Sequence, residues 1–182
     1  PGSVATGFGG DTAWVFDSLT FGDGSGTAAT TATGTGSLTV NETLTVAANQ
    51  TFNASTKNVF LTDADGCPCT PLVATGDFST NSTVTYNSTA ATNITAVNAE
   101  YTDLALLPAG TVTYTVGTAG SQPITAGNLT IGNGTNALTV RNDTHDNALY
   151  VKDLTIAANA LYTAPVDEHK QRQLTRLALA YM

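Results

Sequence analysis

Two cysteines, Cys67 and Cys69, carry the most reactive side chains of the chain and stand one residue apart in the run 66–71. Thiols at this spacing could form a strained local disulfide, bridge to another subunit in an oxidising compartment, or remain ordinary loop thiols. A tetrahedral metal site would need two more ligands, and both histidines are far away in sequence. No metal ligand and no cofactor are therefore predicted, and the three states of the thiols stay open.

Nine asparagines stand in Asn-x-Ser/Thr sequons, the acceptor sequence for N-linked glycans. In a chain with 14 Asn and 44 Ser or Thr, chance would place roughly three such sequences. One interpretation of the excess is a glycan coat on an exported protein. The other is a β-strand repeat, in which Asn makes each turn and Thr begins the next strand. The candidate acceptors are Asn41, Asn49, Asn53, Asn81, Asn87, Asn93, Asn128, Asn133 and Asn142.

The sequence contains no arrangement typical of an enzyme. It has no Gly-x-Ser-x-Gly elbow, no His-Glu-x-x-His and no phosphate-binding Gly-rich loop ahead of a helix. Two carboxylates suffice for glycoside hydrolysis, and β-solenoid polysaccharide enzymes exist, but such a site also needs positive charge to meet an acidic sugar. The repeat region offers only Lys57, Arg141 and Lys152 as cations. The chain is therefore predicted not to be an enzyme, and no catalytic residue is assigned.

The charge of the chain excludes several kinds of partner. Its net charge of −8 and pI near 4.3 argue against nucleic acid, since a phosphate-binding surface needs a field of Lys and Arg. Residues 1–56 contain neither Lys nor Arg, which also disfavours a basic contact with a membrane surface. No apolar run approaches the ~20 residues that a membrane helix needs. Neither nucleic-acid binding nor membrane insertion is predicted.

The elements that must position these residues follow from the composition. Only 11% of the residues are charged, against roughly 25% in an ordinary soluble domain. Threonine favours strands because its branched Cβ fits a pleated surface, while Gly and Asn supply turns. The composition therefore predicts strands and turns, repeated along the chain.

A short strand motif, Leu-Thr-Val or Leu-Thr-Ile, recurs along the chain. Each copy alternates apolar, polar and apolar residues, which places two side chains inside and one outside. The copies begin at Leu38, Leu44, Leu129, Leu138 and Leu154.

A longer internal match supports a structural repeat. Residues 44–54 align without gaps on residues 154–164. Both segments contain a strand, an Ala-Ala-Asn corner and a second strand that carries an aromatic residue. Such a unit cannot bury its apolar face alone, so we expect it to stack on copies of itself.

Three segments resemble repeats of long bacterial surface proteins. Residues 16–27 are similar to their "NLTFGDGSGT" opening, residues 76–87 resemble their "GxFTxNxSTVTYN" unit, and residues 127–135 resemble "GNLTIGxGT". The resemblance extends from about residue 14 to residue 164. It implies a right-handed parallel β-solenoid, as in haemagglutinin-like adhesins and autotransporter passengers, and it implies architecture more than activity.

We therefore predict an all-β fold, a right-handed parallel β-solenoid over residues 1–165. Residues 166–182 lose Gly and Asn and gain helix formers, which predicts a short C-terminal helix that caps the solenoid or contacts another subunit. At a helical period Leu174, Leu177 and Tyr181 fall near one face. The alternative fold is a jelly-roll β-sandwich completed by a strand from a neighbour.

The function that these observations favour is structural. Stacked coils leave two open edges with unpaired backbone groups, so the chain is expected to assemble with itself into an extracellular filament, sheath or stalk at the cell surface. The predicted assembly contacts are Trp14, Phe16, Leu174, Leu177 and Tyr181. The alternative is an adhesin or carbohydrate-binding module with glycans as partners. That function would need exposed aromatic residues clustered on one face.

Overall fold

The structure is a computed structural model that describes residues 8–62 and 70–163. This part of the chain contains 16 β-strands and no helix. Both cysteines, Cys67 and Cys69, and the whole predicted helical tail 166–182 lie outside the described residues.

The strands are short, and Gly, Asn and Pro residues occupy many of the turns between them. In chain order they are β1 Phe8–Gly9, β2 Trp14–Phe21, β3 Ala28–Thr33, β4 Leu38–Val46, β5 Gln50–Asn53, β6 Val59–Leu61, β7 Leu72–Ala74, β8 Asp77–Ser79, β9 Thr83–Tyr86, β10 Thr92–Ile94, β11 Ala99–Leu106, β12 Val112–Val116, β13 Ile124–Ile131, β14 Leu138–Arg141, β15 Leu149–Ile156 and β16 Ala160–Thr163.

Every strand pairing among the described residues is parallel. Paired strands occupy the same place in successive turns of the chain, as Trp14 pairs with Leu38. This confirms the predicted parallel β-solenoid. The alternative, a jelly-roll sandwich, is wrong because it requires antiparallel pairing.

Three ladders of strands form the faces of the solenoid. The first face contains β6 and β9 with parts of β2, β4, β11, β13 and β15. The second face contains β7, β10, β12, β14 and β16 with the later parts of β2 and β4. The third face contains β1, β3, β5 and β8 with the early parts of β11, β13 and β15. Each face thus carries seven strand segments.

The second face is interrupted between β7 and β10, which do not pair with each other. A side chain bridges this position instead, because Thr95 Oγ1 donates a hydrogen bond to the carbonyl of Leu72. The Nδ2 of Asn93 also donates to Thr70 Oγ1, at 3.4 Å.

The core consists of columns of inward-pointing side chains that follow the ladders. On the first face Leu38, Val59, Val84 and Leu104 are all buried, each stacked on the one before. Their outward neighbours are mostly threonine and other polar residues. The alternation of apolar and polar residues in the Leu-Thr-Val motif therefore separates core from surface.

A column of aromatic rings runs through the N-terminal half of the core. The rings of Phe21 and Phe52 stack with centroids 3.8 Å apart. The ring of Phe78 follows 6.0 Å from Phe52, and Tyr101 follows 6.3 Å from Phe78. Aromatic pairs at these separations add to the stabilisation that burial gives.

Two buried tyrosines bring hydroxyl groups into the core. The hydroxyl of Tyr101 donates to the carbonyl of Thr95 at 2.7 Å, and the Tyr86 hydroxyl accepts from the Thr95 amide at 3.2 Å. The Tyr101 hydroxyl has one proton, which it donates to the carbonyl of Thr95. In the 3.1 Å contact between the two hydroxyls, Tyr86 is therefore the donor and Tyr101 the acceptor. Burial raises the pKa of both phenols, because the charged phenolate would lose its hydration.

The 11-residue sequence match corresponds to one repeated corner. Asn49 and Asn159 both adopt a left-handed backbone, with φ of 61° and 63°. The amide of Ala47 donates to Phe21 O at 3.0 Å, and the amide of Ala157 makes the equivalent bond to Ile131 O at 2.8 Å. The two copies lie on different faces, however, since Leu44 belongs to the second face and Leu154 to the first. The second copy of the repeat is therefore rotated about the solenoid axis by one face relative to the first copy.

Candidate functional site at the ends of the solenoid

The N-terminal end of the described solenoid exposes an apolar coil. Trp14 on β2 points inward and is aligned with Leu38, yet its side chain is 40% exposed whereas Leu38 is fully buried. No strand of the described chain pairs with the outer edge of β2. That edge therefore presents unpaired backbone N–H and C=O groups beside an incompletely covered apolar surface.

Phe8 covers part of this end. Its strand, β1, pairs with β3 through Ala32 and Thr33, and its ring lies 5.4 Å from Trp14 and 5.4 Å from Phe21. Phe16, the second predicted contact at this end, is half-buried with its ring 6.3 Å from Phe8. The predicted N-terminal contact residues thus belong to one aromatic cluster at the end of the core.

A buried lysine stabilises the corner beside this cluster, and no pattern in the sequence predicts its burial. The Nζ of Lys57 donates to the carbonyls of Gly10 and Gly36, at 2.7 and 2.8 Å. A Cβ on Gly9 would lie 2.1 Å from Thr33 O and 2.8 Å from the Lys57 Cε, so the backbone approaches too closely here for any residue but glycine. Lys57 thereby connects the corners of three successive turns.

The C-terminal end exposes an aliphatic coil. Leu154 and Ile156 on β15 point inward, yet they are 45% and 47% exposed. Their partners one turn earlier, Leu129 and Ile131, are 3% and 0% exposed. The described residues therefore end in a coil whose core-facing side chains are half covered. The tail residues predicted to contact this end or another subunit, Leu174, Leu177 and Tyr181, lie outside the described residues.

Most of the predicted glycan acceptors lie at or near the surface. Four sequon asparagines are exposed, four are half-buried, and one is buried. In that order they are Asn49, Asn81, Asn128 and Asn133, then Asn41, Asn53, Asn87 and Asn93, and finally Asn142. Several use their side chains to join neighbouring turns, as Asn128 Nδ2 does by donating to Asp103 Oδ1 at 2.5 Å. Five of the nine lie between strands and four lie within strands, so the corner interpretation describes only part of the set, and glycosylation of the exposed sites stays a prediction.

A groove on the third face has a volume of about 960 Å³. Its rim carries Asp77, Glu100, Asn81 and Asn98, while Phe78 and Tyr101 are buried beneath its floor. The groove is therefore acidic and polar. No group of three or more His, Cys, Asp or Glu in the described ranges could hold a metal ion.

The described charged groups include one exposed ion pair. Arg141 and Asp143 make an exposed ion pair at 3.1 Å, and hydrogen bonding to Arg141 lowers the pKa of the Asp143 carboxyl.

No helix long enough to cross a membrane occurs in the part of the chain that the structure describes. No family model, curated protein or solved structure matches the chain. Its function is therefore inferred from its own geometry.

Proposed function

We propose that the chain is a non-catalytic structural subunit or segment of an extracellular filament, sheath or stalk, assembled by stacking solenoid coils end to end. The observation that carries this proposal is the incomplete burial of inward-pointing side chains at both ends, Trp14 at one and Leu154 and Ile156 at the other. Residues at the aligned positions inside the solenoid are buried.

The energetics favour addition of another coil. Complete burial of a Leu or Ile side chain stabilises by ~1.5–3 kcal/mol, and about half of that remains to be gained at Leu154 and Ile156. A coil that stacks in parallel would also pair the open edge of β15. Because the two ends of the chain differ, the contact is head-to-tail, which propagates into a fibre unless it closes into a ring.

The surface of the described solenoid suits an extracellular role. Polar uncharged residues dominate the outward positions, and cationic side chains are few, with Lys57 buried and Arg141 paired. A threonine-rich surface with few Lys and Arg offers little for trypsin-like proteases to cut. Localisation at the cell surface follows from this composition as part of the proposal.

The test uses one disruptive substitution and one matched control. Ile156→Lys places a charge on the inward side of the open coil, whereas Leu161→Lys places the same charge on an outward side chain that is 56% exposed. We expect concentration-dependent fibres in negative-stain images of the unmodified chain and of Leu161→Lys, and monomers with Ile156→Lys. A strictly monomeric unmodified chain at high concentration contradicts the proposal.

The groove on the third face supports a second candidate, a carbohydrate-binding surface. Carboxylate and amide groups such as those of Asp77, Glu100 and Asn98 are suited to sugar hydroxyls. No exposed aromatic side chain lines this groove, because its aromatic residues, Phe78 and Tyr101, are buried, and Tyr150, 61% exposed on the third face, lies outside its lining. Binding on a glycan array that is lost with Glu100→Ala and kept with Tyr150→Ala would favour this function.

A further inference from the structure

We propose that Asn133 is a site of spontaneous deamidation, in which the backbone nitrogen of Gly134 attacks the side-chain carbonyl carbon of Asn133. The product is an aspartate or an isoaspartate at position 133. This inference concerns a covalent modification of the chain and goes beyond the proposed structural role. It rests on the geometry of the corner between β13 and β14.

The residue after Asn133 leaves the attacking nitrogen accessible. Asn133 and Gly134 form the only Asn-Gly pair in the sequence, and both residues are exposed. Glycine has no Cβ that could hinder the approach of its nitrogen to Asn133 Cγ. The Gly134 amide makes no hydrogen bond with any residue that the structure describes, whereas Gly134 O accepts from Asn159 Nδ2 at 3.3 Å. The nucleophile is therefore free while the peptide that carries it is anchored to the next turn.

Two backbone amides point at the oxygen that gains charge in this reaction. The amides of Thr135 and Asn136 donate to Asn133 Oδ1, at 2.9 and 2.8 Å. Attack on Cγ moves an electron pair onto Oδ1, and hydrogen-bond donors already in place there stabilise the negative charge that develops. The corner therefore makes the side-chain carbonyl of Asn133 more electrophilic.

Water is the only co-reactant that the reaction needs. The Gly134 nitrogen loses its proton to solvent base and bonds to Asn133 Cγ. The bond from Cγ to Nδ2 then breaks, and this nitrogen takes up a proton from water and leaves as ammonia. Water opens the resulting cyclic succinimide at either of its two carbonyls, which gives aspartate or isoaspartate.

The departure of the side-chain nitrogen breaks one link to the preceding turn. Asn133 Nδ2 donates to Pro108 O at 2.8 Å, and a carboxylate has no proton with which to replace this bond. Asn136 Nδ2 donates to the same oxygen at 2.8 Å, so Pro108 O keeps a partner after the reaction. The loss of the amide therefore leaves no buried acceptor unsatisfied at this corner.

A second corner of similar geometry already carries the product residue. Asp23 stands between Gly22 and Gly24, whose φ values are 78° and 79°, and the glycines on either side of Asn133 have φ of 88° and 76°. Asp23 Oδ1 accepts from the amide of Ser25 at 2.9 Å. Hydrogen bonds from the Ser25 hydroxyl and amide lower the pKa of the Asp23 carboxyl, so donors in this corner stabilise negative charge on the side-chain oxygen. This type of corner therefore accommodates aspartate.

Asn53 provides a matched control within the same chain. Its Oδ1 accepts from the amide of Ser55 at 2.7 Å, so its carbonyl is polarised in the same way. The amide that follows it, that of Ala54, differs because it donates to Ser79 O at 2.8 Å. Asn53 therefore combines a polarised carbonyl with an amide that is not free to attack.

Peptide mapping by mass spectrometry tests the proposal on the folded chain, made in a bacterial host that attaches no N-linked glycans. After incubation in mildly alkaline buffer, we expect the peptide with Asn133 to show the mass of the acid, resolved into aspartate and isoaspartate products. The conversion should accelerate as pH rises, because the Gly134 nitrogen must lose its proton. The peptide with Asn53 should stay unmodified. Asp23→Asn creates an Asn-Gly pair in the second corner and should convert in the same way.

Four results would overturn the inference. If Asn133 stays intact in the folded chain while a synthetic peptide of residues 130–137 converts, the fold protects the amide. Aspartate without isoaspartate excludes the succinimide route. Equal conversion at Asn53 and Asn133 removes the role of the free Gly134 amide. Conversion at Asn133 but not in folded Asp23→Asn shows that the shared corner geometry is not the cause. None of these results bears on assembly, so the proposed function is tested separately.

Discussion

Asn142 and Asn147 are joined by two hydrogen bonds that close a loop between β14 and β15. The Nδ2 of Asn142 donates to Asn147 O at 2.6 Å, and the amide of Asn147 donates to Asn142 Oδ1 at 3.1 Å. The Nδ2 of Asn147 in turn donates to the carbonyls of Val116 and Ala119, at 2.9 and 3.0 Å. Both side chains are buried, so this pair fastens one turn of the solenoid to the turn before it.

Asn142→Asp should destabilise the protein. The carboxylate has no proton to donate to Asn147 O and is itself buried, and an unsatisfied buried group costs about 1–3 kcal/mol. Asn81→Asp is the control, since Asn81 is exposed. Thermal unfolding followed by circular dichroism should show a lower Tm for Asn142→Asp and an unchanged Tm for Asn81→Asp. Equal Tm values would contradict the structural role of Asn142.

The sequons should differ in glycan occupancy when the chain is made in a eukaryotic secretory host. Asn81 and Asn49 are exposed, whereas Asn142 Nδ2, the atom that a glycan would modify, is buried and also donates to the Tyr162 hydroxyl at 3.0 Å. Mass spectrometry of glycopeptides should find Asn81 and Asn49 modified and Asn142 unmodified. Full occupancy at Asn142 in a natively folded protein would be incompatible with this geometry.

Lys57→Met should weaken the N-terminal turns. The substitution keeps the length of the side chain but removes the hydrogen bonds to Gly10 O and Gly36 O. Hydrogen bonds to charged groups contribute about 1.5–3 kcal/mol each, offset in part by the cost of burying the charge. Lys152→Met, at an exposed position, is the control. Urea unfolding should give a lower midpoint for Lys57→Met only, and an equal or higher midpoint would show that burial of the charge dominates.

Stability should fall at alkaline pH because of Tyr86 and Tyr101. Burial raises the pKa of both phenols above the ordinary value near 10, so the unfolded chain releases these protons first. Their contribution is therefore fully present below about pH 10 and is lost as pH rises from there toward the raised pKa values. Urea midpoints between pH 8 and pH 11 should decline less steeply in Tyr101→Phe than in Tyr150→Phe. Parallel declines would contradict the role of the buried phenols.

The sequence predicted the fold because the repeat is local. Leu-Thr-Val places two inward residues and one outward residue in three positions, and the match of residues 44–54 to 154–164 reproduces one corner down to the left-handed Asn49 and Asn159. The rotation of that corner by one face could not be predicted. It depends on the summed lengths of all the strands and connections between the two copies, and no single motif encodes that sum.

The parts of the candidate site that escaped sequence analysis depend on distant contacts. The burial of Lys57 arises only when Gly10 and Gly36, from other turns, accept hydrogen bonds from its Nζ. Asn142 and Asn81 both stand in Asn-x-Thr sequons. The triplet alone does not show whether the asparagine side chain is buried by contacts with other parts of the solenoid. Trp14 and Phe16 begin the first long strand of the described chain, and their role as assembly contacts stays a prediction.

The direction of the strand pairing has a mechanical consequence. In a solenoid the ladder hydrogen bonds run along the axis, so tension applied between the two ends of a chain loads one turn at a time, beginning at whichever end is least fastened. Roughly 24 residues separate equivalent positions such as Trp14 and Leu38, and at ~3.4 Å per extended residue each peeled turn would lengthen the chain by about 80 Å. A fibre built from such coils would therefore be extensible, absorbing a sudden pull in a series of small, separately reversible steps instead of a single rupture.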